Sequence, residues 1–232
     1  MSDDGKRAYV NNYGSASGVG SGNGTTVSVV DLITNQIIDT IKVGLAPAAL
    51  VLSPDNDYLY VVDYVDGEPG TGLLVIVSTA TNTVIDTIPG FSGPFAIALS
   101  KYGRYTYITN FGSNNFAPFG TTVSAVDLKL RTIIKNITTG IQPSGITVSP
   151  CGEYAYSTNY NALYTKPNFQ NLTYELGSIS IIRLRDNKLV ALTIPVGQTP
   201  SSIAVSPDGS RLFVTNYVMN VVTEVPVPCH LR

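Results

Sequence analysis

The stretch Pro200-Ser201-Ser202-Ile203-Ala204-Val205-Ser206-Pro207-Asp208-Gly209, followed by Phe213-Val214-Thr215-Asn216-Tyr217, decides the architecture of this chain. Earlier copies of it start at Pro47, Pro94 and Pro143. Their tails read Tyr60-Val61-Val62-Asp63-Tyr64, Tyr107-Ile108-Thr109-Asn110-Phe111 and Tyr156-Ser157-Thr158-Asn159-Tyr160. The starts lie 47, 49 and 57 residues apart. Repeats of this length made of short strands point to propeller blades rather than helical solenoids.

Each repeat reads as four strands, A to D. Strand A alternates, as in Ile97-Ala98-Leu99. A Ser-Pro-Asp-Gly turn follows, in which Pro presets φ and Gly accepts a positive one. Strand B is the β-branched and aromatic Tyr-Val-Thr-Asn segment. A variable Gly- and Asn-rich loop leads to strand C, such as Val27-Ser28-Val29-Val30-Asp31 or Val123-Ser124-Ala125-Val126-Asp127. Strand D, such as Val84-Ile85-Asp86-Thr87-Ile88, leads through Val43-Gly44 or Val196-Gly197 to the next Pro. No segment has sustained helical periodicity.

The expected fold is all-β, a β-propeller of four to five four-stranded blades. A partial blade over 1–44 precedes blades 45–90, 91–139 and 140–196. A partial blade 197–225 and a tail 226–232 follow. Ser2-Asp3-Asp4-Gly5 aligns with Ser206-Pro207-Asp208-Gly209, so the first blade starts without strand A. The last blade lacks strand D, which leaves a five-bladed ring with two thin blades, an open arc that dimerises and a piece of a longer propeller as the expected alternatives.

The Tyr-Val-Thr-Asn, Val-Ser-Val-Val-Asp-Leu and Ser-Pro-Asp-Gly segments resemble the YVTN β-propeller repeats of archaeal surface-layer proteins and bacterial relatives. The resemblance covers nearly the whole chain. Departures are Asp63 for the strand-B Asn, Ser78 and Arg183 for the strand-C Asp, and Lys101-Tyr102-Gly103 for Pro-Asp-Gly. Cys151 stands for the turn Asp, which reads as a neutral substitution. The propeller lactonases share a related repeat. That resemblance implies acidic and amide side chains around a central metal, which Asp63 with Asn110, Asn159 and Asn216 would imitate.

Hydrophobic residues make up 44% of the chain and charged ones 13%, enough to bury a substantial core. The net charge is −2, from 14 basic and 16 acidic residues well mixed, so nucleic acid is not an expected partner. No apolar run approaches the roughly 20 residues that span a bilayer. The start, Met1-Ser2-Asp3-Asp4-Gly5-Lys6, is polar and acidic and not a secretory leader. As written the chain is expected in the cytoplasm. As a piece of a longer exported protein it would belong outside the cell or on its surface.

Binding is expected on the face that gathers the B–C loops, 13–24, 64–72, 111–120 and 160–177, because variable loops on a rigid scaffold are the usual recognition sites. The last carries Tyr160, Tyr164, Phe169 and Tyr174 beside Asn161, Asn168 and Asn171. Such aromatics could stack on a sugar or a partner loop; the plainer reading has them packing their own loop. The strand-B ends Asn12, Asp63, Asn110, Asn159 and Asn216 would ring that face as a polar pocket. Asn and Asp also cap loops by bonding nearby backbone, and that reading is the stronger. Asp63, Asp66 and Glu68 are candidates for Ca²⁺ or another divalent ion, although their spacing is not that of an EF-hand. His230 beside Cys229 lies beyond two prolines and makes no closed metal or catalytic set.

Three functions follow in order of expectation. The first is a non-catalytic scaffold binding a protein or glycan through the loop face, without a cofactor. The second is a metal-dependent lactonase-like hydrolase. The third is an assembly protein, a homo-oligomer that pairs through its unfinished blades.

Overall fold

In the computed structural model, described for residues 1–13, 24–65, 69–112, 119–165 and 171–227, the chain is all strand and turn. The first sheet holds β1 (Arg7–Tyr13), β2 (Thr25–Asp31) and β3 (Gln36–Lys42). The second holds β4 (Pro47–Leu52), β5 (Tyr58–Asp63), β6 (Gly72–Ser78) and β7 (Thr83–Phe91). The third holds β8 (Pro94–Leu99), β9 (Tyr105–Gly112), β10 (Phe119–Asp127) and β11 (Thr132–Thr138). In the fourth, β12 (Pro143–Val148) and β13 (Tyr154–Asn159) pair in order with β16 (Leu176–Arg183) and β17 (Lys188–Gln198). Between them β14 (Ala162–Thr165) and β15 (Asn171–Tyr174) form a separate hairpin. The last sheet holds β18 (Pro200–Val205), β19 (Arg211–Asn216) and β20 (Val221–Pro226). Every sheet is an antiparallel meander, and the first and last have three strands each among the described residues.

The periodicity of the sequence accounts for these sheets. In the second, third and fourth sheets strands B and C are apolar or hydroxylated, and buried, at most positions. Thus β5, β9 and β13 are buried almost throughout. Strand D is the outer edge, and β3 and β11 are largely exposed. A bulge recurs between strands C and D, at Val29/Val30, Ile76/Val77 and Ala125/Val126. The extra residue on strand D increases the local twist.

The chain forms two compact units, Met1–Ala96 and Ile97–Arg232. In the first, Tyr9, Val27, Val29, Leu59, Val61 and Val75 bury the space between the first two sheets. In the second, Tyr156, Ile179, Ile181, Ile203, Leu212 and Val214 do the same between the last two.

Three boundaries differ from expectation. Strands β7 and β17 overrun 90 and 196. Pro226, read as the start of the tail, ends β20 opposite Arg211, an edge position where a missing N–H is tolerated. Val227 is buried in the core of the second unit, its N–H bonded to the Ser210 carbonyl, so it belongs to the fold. The 160–177 segment, read as a variable loop, also contains the β14–β15 hairpin.

Candidate functional site

The expected ring of amides is structural. Asn159 Nδ2 donates to Ser178 Oγ at 3.0 Å and Ser180 Oγ at 2.9 Å, while its Oδ1 accepts the Gly140 N–H at 3.1 Å. Asn110 Nδ2 donates to Thr122 Oγ1 and Ser124 Oγ, and Asn12 Nδ2 to Thr26 Oγ1 and Ser28 Oγ. Asn216 Nδ2 donates to Thr223 Oγ1 at 2.8 Å. Each strand-B amide thus spans to the hydroxyls of strand C in its own sheet. Asp63, Asn110, Asn159 and Asn216 are all buried. The amide nitrogens of Asn12, Asn110, Asn159 and Asn216 thus serve packing within their own sheets, while Asn216 Oδ1 is buried without a hydrogen-bond partner.

The glycines of the D–A links serve the same device. A Cβ on Gly140 would lie 2.6 Å from Asn159 Cγ, and one on Gly197 2.6 Å from Asn216 Cγ. Only a residue without a side chain lets the amide sit there. At Gly44 the neighbour is the Asp63 carboxylate, which accepts the N–H groups of Leu45 and Ala46. Both Asp63 oxygens are thus engaged by backbone, and Asp66 and Glu68 lie outside the described residues. Among the described residues no three His, Cys, Asp or Glu side chains gather as a metal-ligand set.

Of the loop aromatics, Tyr160 is half-buried and packs edge-on against Phe111 of β9 in the third sheet, ring centroids 5.7 Å apart, rather than against its own loop. Tyr164 and Tyr174 lie on the β14–β15 hairpin. Phe169, Asn168, Cys229 and His230 lie outside the described residues.

A concave site among the described residues lies at the opposite ends of the strands. In the second unit a groove of about 460 Å³ opens between the A–B turns of the third and fourth sheets and the C–D turn of the fourth. That volume is in the range of small-molecule pockets. Four tyrosines line it: Tyr102, Tyr105, Tyr107 and Tyr154. So do four cations, Lys101, Arg104, Arg183 and Arg185, against one carboxylate, Glu153. Tyr107 is buried, and its hydroxyl donates to Asn187 Oδ1 at 3.1 Å, tying strand B of one sheet to the C–D turn of the next. Burial pushes the Tyr107 phenol up to about 12, with a smaller contribution from Tyr105, so it remains neutral at any ordinary pH. Tyr102 stands at the rim, 84% exposed, with Lys101 Nζ 5.9 Å from its ring centroid. The Arg104 guanidinium lies 5.0 Å from the Tyr105 ring centroid and pairs with Asp127 at 3.1 Å. Arg183 holds Asp186 through two bonds of 3.0 and 2.8 Å, which keeps that carboxyl below the usual range. Lys101 and Arg185 form no salt bridge among the described residues.

The turns that frame the groove close by the same hydrogen bonds in all five copies. In each, the turn Ser donates its N–H to the residue five places on, accepts that residue's N–H on Oγ, and its carbonyl receives the N–H of a residue at positive φ. In three copies the turn also draws in a carboxylate: Ser2 bonds Asp4, Ser53 bonds Asp55 and Ser206 bonds Asp208. The other two carry Tyr102 and Cys151 at that position, and both line the groove. Sequence reasoning passed over this site because it took these departures one at a time. Their positions were visible; their convergence was not.

No protein-family model matches the chain, and no curated protein matches its sequence. Among solved structures it is similar to hydrazine synthase from Kuenenia stuttgartiensis, at 18% identity and TM-score 0.60, over 97% of this chain and 81% of that one. It is similar to a functionally unknown protein from Desulfotomaculum acetoxidans, at 20% identity and TM-score 0.60, over 87% and 62%. A "putative 6-phosphogluconolactonase" from Bacteroides fragilis matches at 17% identity and TM-score 0.67, over 99% and 66%. The chain thus spans less than two thirds of the latter two proteins. At these identities the likeness establishes the fold alone, which is that of the β-propellers.

Proposed function

We propose that the chain is a non-catalytic propeller scaffold, built from repeats of the YVTN type, that binds a glycan or protein partner. One observation carries this reading: a groove of about 460 Å³ framed by turns that the Ser-centred hydrogen bonds lock in place. Its lining is aromatic and cationic, side chains that recognise a partner by stacking and charge. A rigid frame also limits the ordering cost of binding. On this reading recognition belongs to the turn ends of the strands rather than to the B–C loops. The test is a screen of the purified chain against arrays of glycans and of protein partners, repeated with Tyr105→Ala and Tyr154→Ala. The expected outcome is a ligand whose affinity drops at least tenfold in these variants. A hit insensitive to both would move the site elsewhere.

The Bacteroides fragilis neighbour's name favours a second reading, hydrolysis of a sugar lactone. It requires turnover of a δ-lactone above the spontaneous rate, tested with added divalent ions. Turnover abolished by Asp63→Asn would replace the binding reading.

A further inference from the structure

We propose that the occupant of the turn groove is an acidic saccharide, a sugar ring bearing a carboxylate, sulfate or phosphate; this rests on the binding reading above. Three departures from the repeat meet in this groove. Tyr102 and Cys151 stand where Asp4, Asp55 and Asp208 occupy the other turns. Arg183 stands where Asp31 and Asp127 occupy strand C. Relative to those repeats the groove has lost three carboxylates and gained a guanidinium. The turns do not need the carboxylate to close. The Ser100 and Ser149 turns make the same backbone hydrogen bonds as the rest, with Ser149 Oγ instead 3.1 Å from Cys151 Sγ. What the exchange alters is the charge of the groove.

Two of the four cations have an acidic partner already. Arg104 is shared with Asp127, and Arg183 with Asp186. Lys101 and Arg185 make no salt bridge among the described residues, and both lie in the lining. They are the charges available to an incoming anion. A bare anion would leave the tyrosines without a role. A ring with an apolar face and an acidic substituent uses both halves, the face against Tyr105 or Tyr154 and the acid toward Lys101 and Arg185. Tyr107 also lines the groove, its hydroxyl already donated to Asn187 Oδ1.

The exposed Cys151 offers a direct readout. In the full chain carrying Cys229→Ser, the rate of Cys151 alkylation is measured with digalacturonic acid, with its dimethyl ester, and with hexaglutamate. Tyrosine emission is titrated in parallel, the chain having no Trp. The expected result is that the diacid slows alkylation and shifts emission, more weakly as salt rises, while the ester and the peptide do neither. Tyr102→Asp and Cys151→Asp each write the repeat's own carboxylate back into a turn that folds with it elsewhere. Each should weaken the diacid about tenfold in the emission titration. Arg185→Gln should weaken it as well. Protection by the ester equal to that by the diacid overturns the acidic requirement and leaves the binding reading standing. Preference for hexaglutamate overturns the saccharide. Unchanged alkylation with all three overturns the proposal, and an array ligand that binds without protecting Cys151 overturns the groove as the site.

Discussion

The strand-B amide is the residue that joins the parts of a blade. Asn159 is 1% exposed and satisfies three groups at once, two strand-C hydroxyls and the N–H of Gly140. Removing it takes this partner from the buried Ser180 and from the half-buried Ser178 and Gly140. Asn159→Ala is expected to cost about 2–3 kcal/mol in urea unfolding, because orphaned buried polar groups forfeit their full desolvation. Asn12→Ala, at a half-buried position, should cost clearly less. Equal costs at the two sites would argue against burial as the cause. The sequence already favoured a capping role for these residues. It did not reveal that the main partners would be hydroxyls across the sheet, since strand pairing alone brings Ser178 and Ser180 within reach.

At the scale of the element, the A–B turn separates what closes it from what charges it. The Ser hydroxyl closes it in all five copies; the Asp is present in three. The Ser206 hydroxyl first, then the Ser210 N–H, hold the Asp208 carboxyl far below the ordinary carboxylate range. A depressed folded value means that its contribution is present above the unfolded value and is lost as pH falls through the folded one. Asp208→Asn is therefore expected to reduce stability near neutrality and to flatten its decline below about pH 4, followed by thermal unfolding against pH. A steeper decline in the variant would reverse the assigned sign. Of the groove, the sequence displayed each component: Lys101-Tyr102, Cys151 and Arg183 stood out against the repeat. Cys151 comes 49 positions after Tyr102, so only stacking of the third sheet on the fourth makes them neighbours.

At the scale of the whole molecule, buried tyrosines set a limit on the alkaline side. Tyr107 and Tyr156 are fully buried, and desolvation pushes each phenol up to about 12 from 10. The unfolded chain releases these protons first. Their stabilisation is thus complete below pH 10 and is lost as pH rises through 12. Thermal unfolding is expected to fall steeply across that window, and less steeply in Tyr107→Phe; a slope unchanged by that substitution would remove Tyr107 as a cause. The net charge of −2 gave no hint of a cationic groove, because a sum over the chain carries no positions. The repeat, its four strands and its turns were determined by local chemistry: alternation, β-branched runs, and Pro, Gly and Asn at the bends. Which residues face one cavity was decided by tertiary structure, because charges on different sheets become one site only when packing sets their turns side by side.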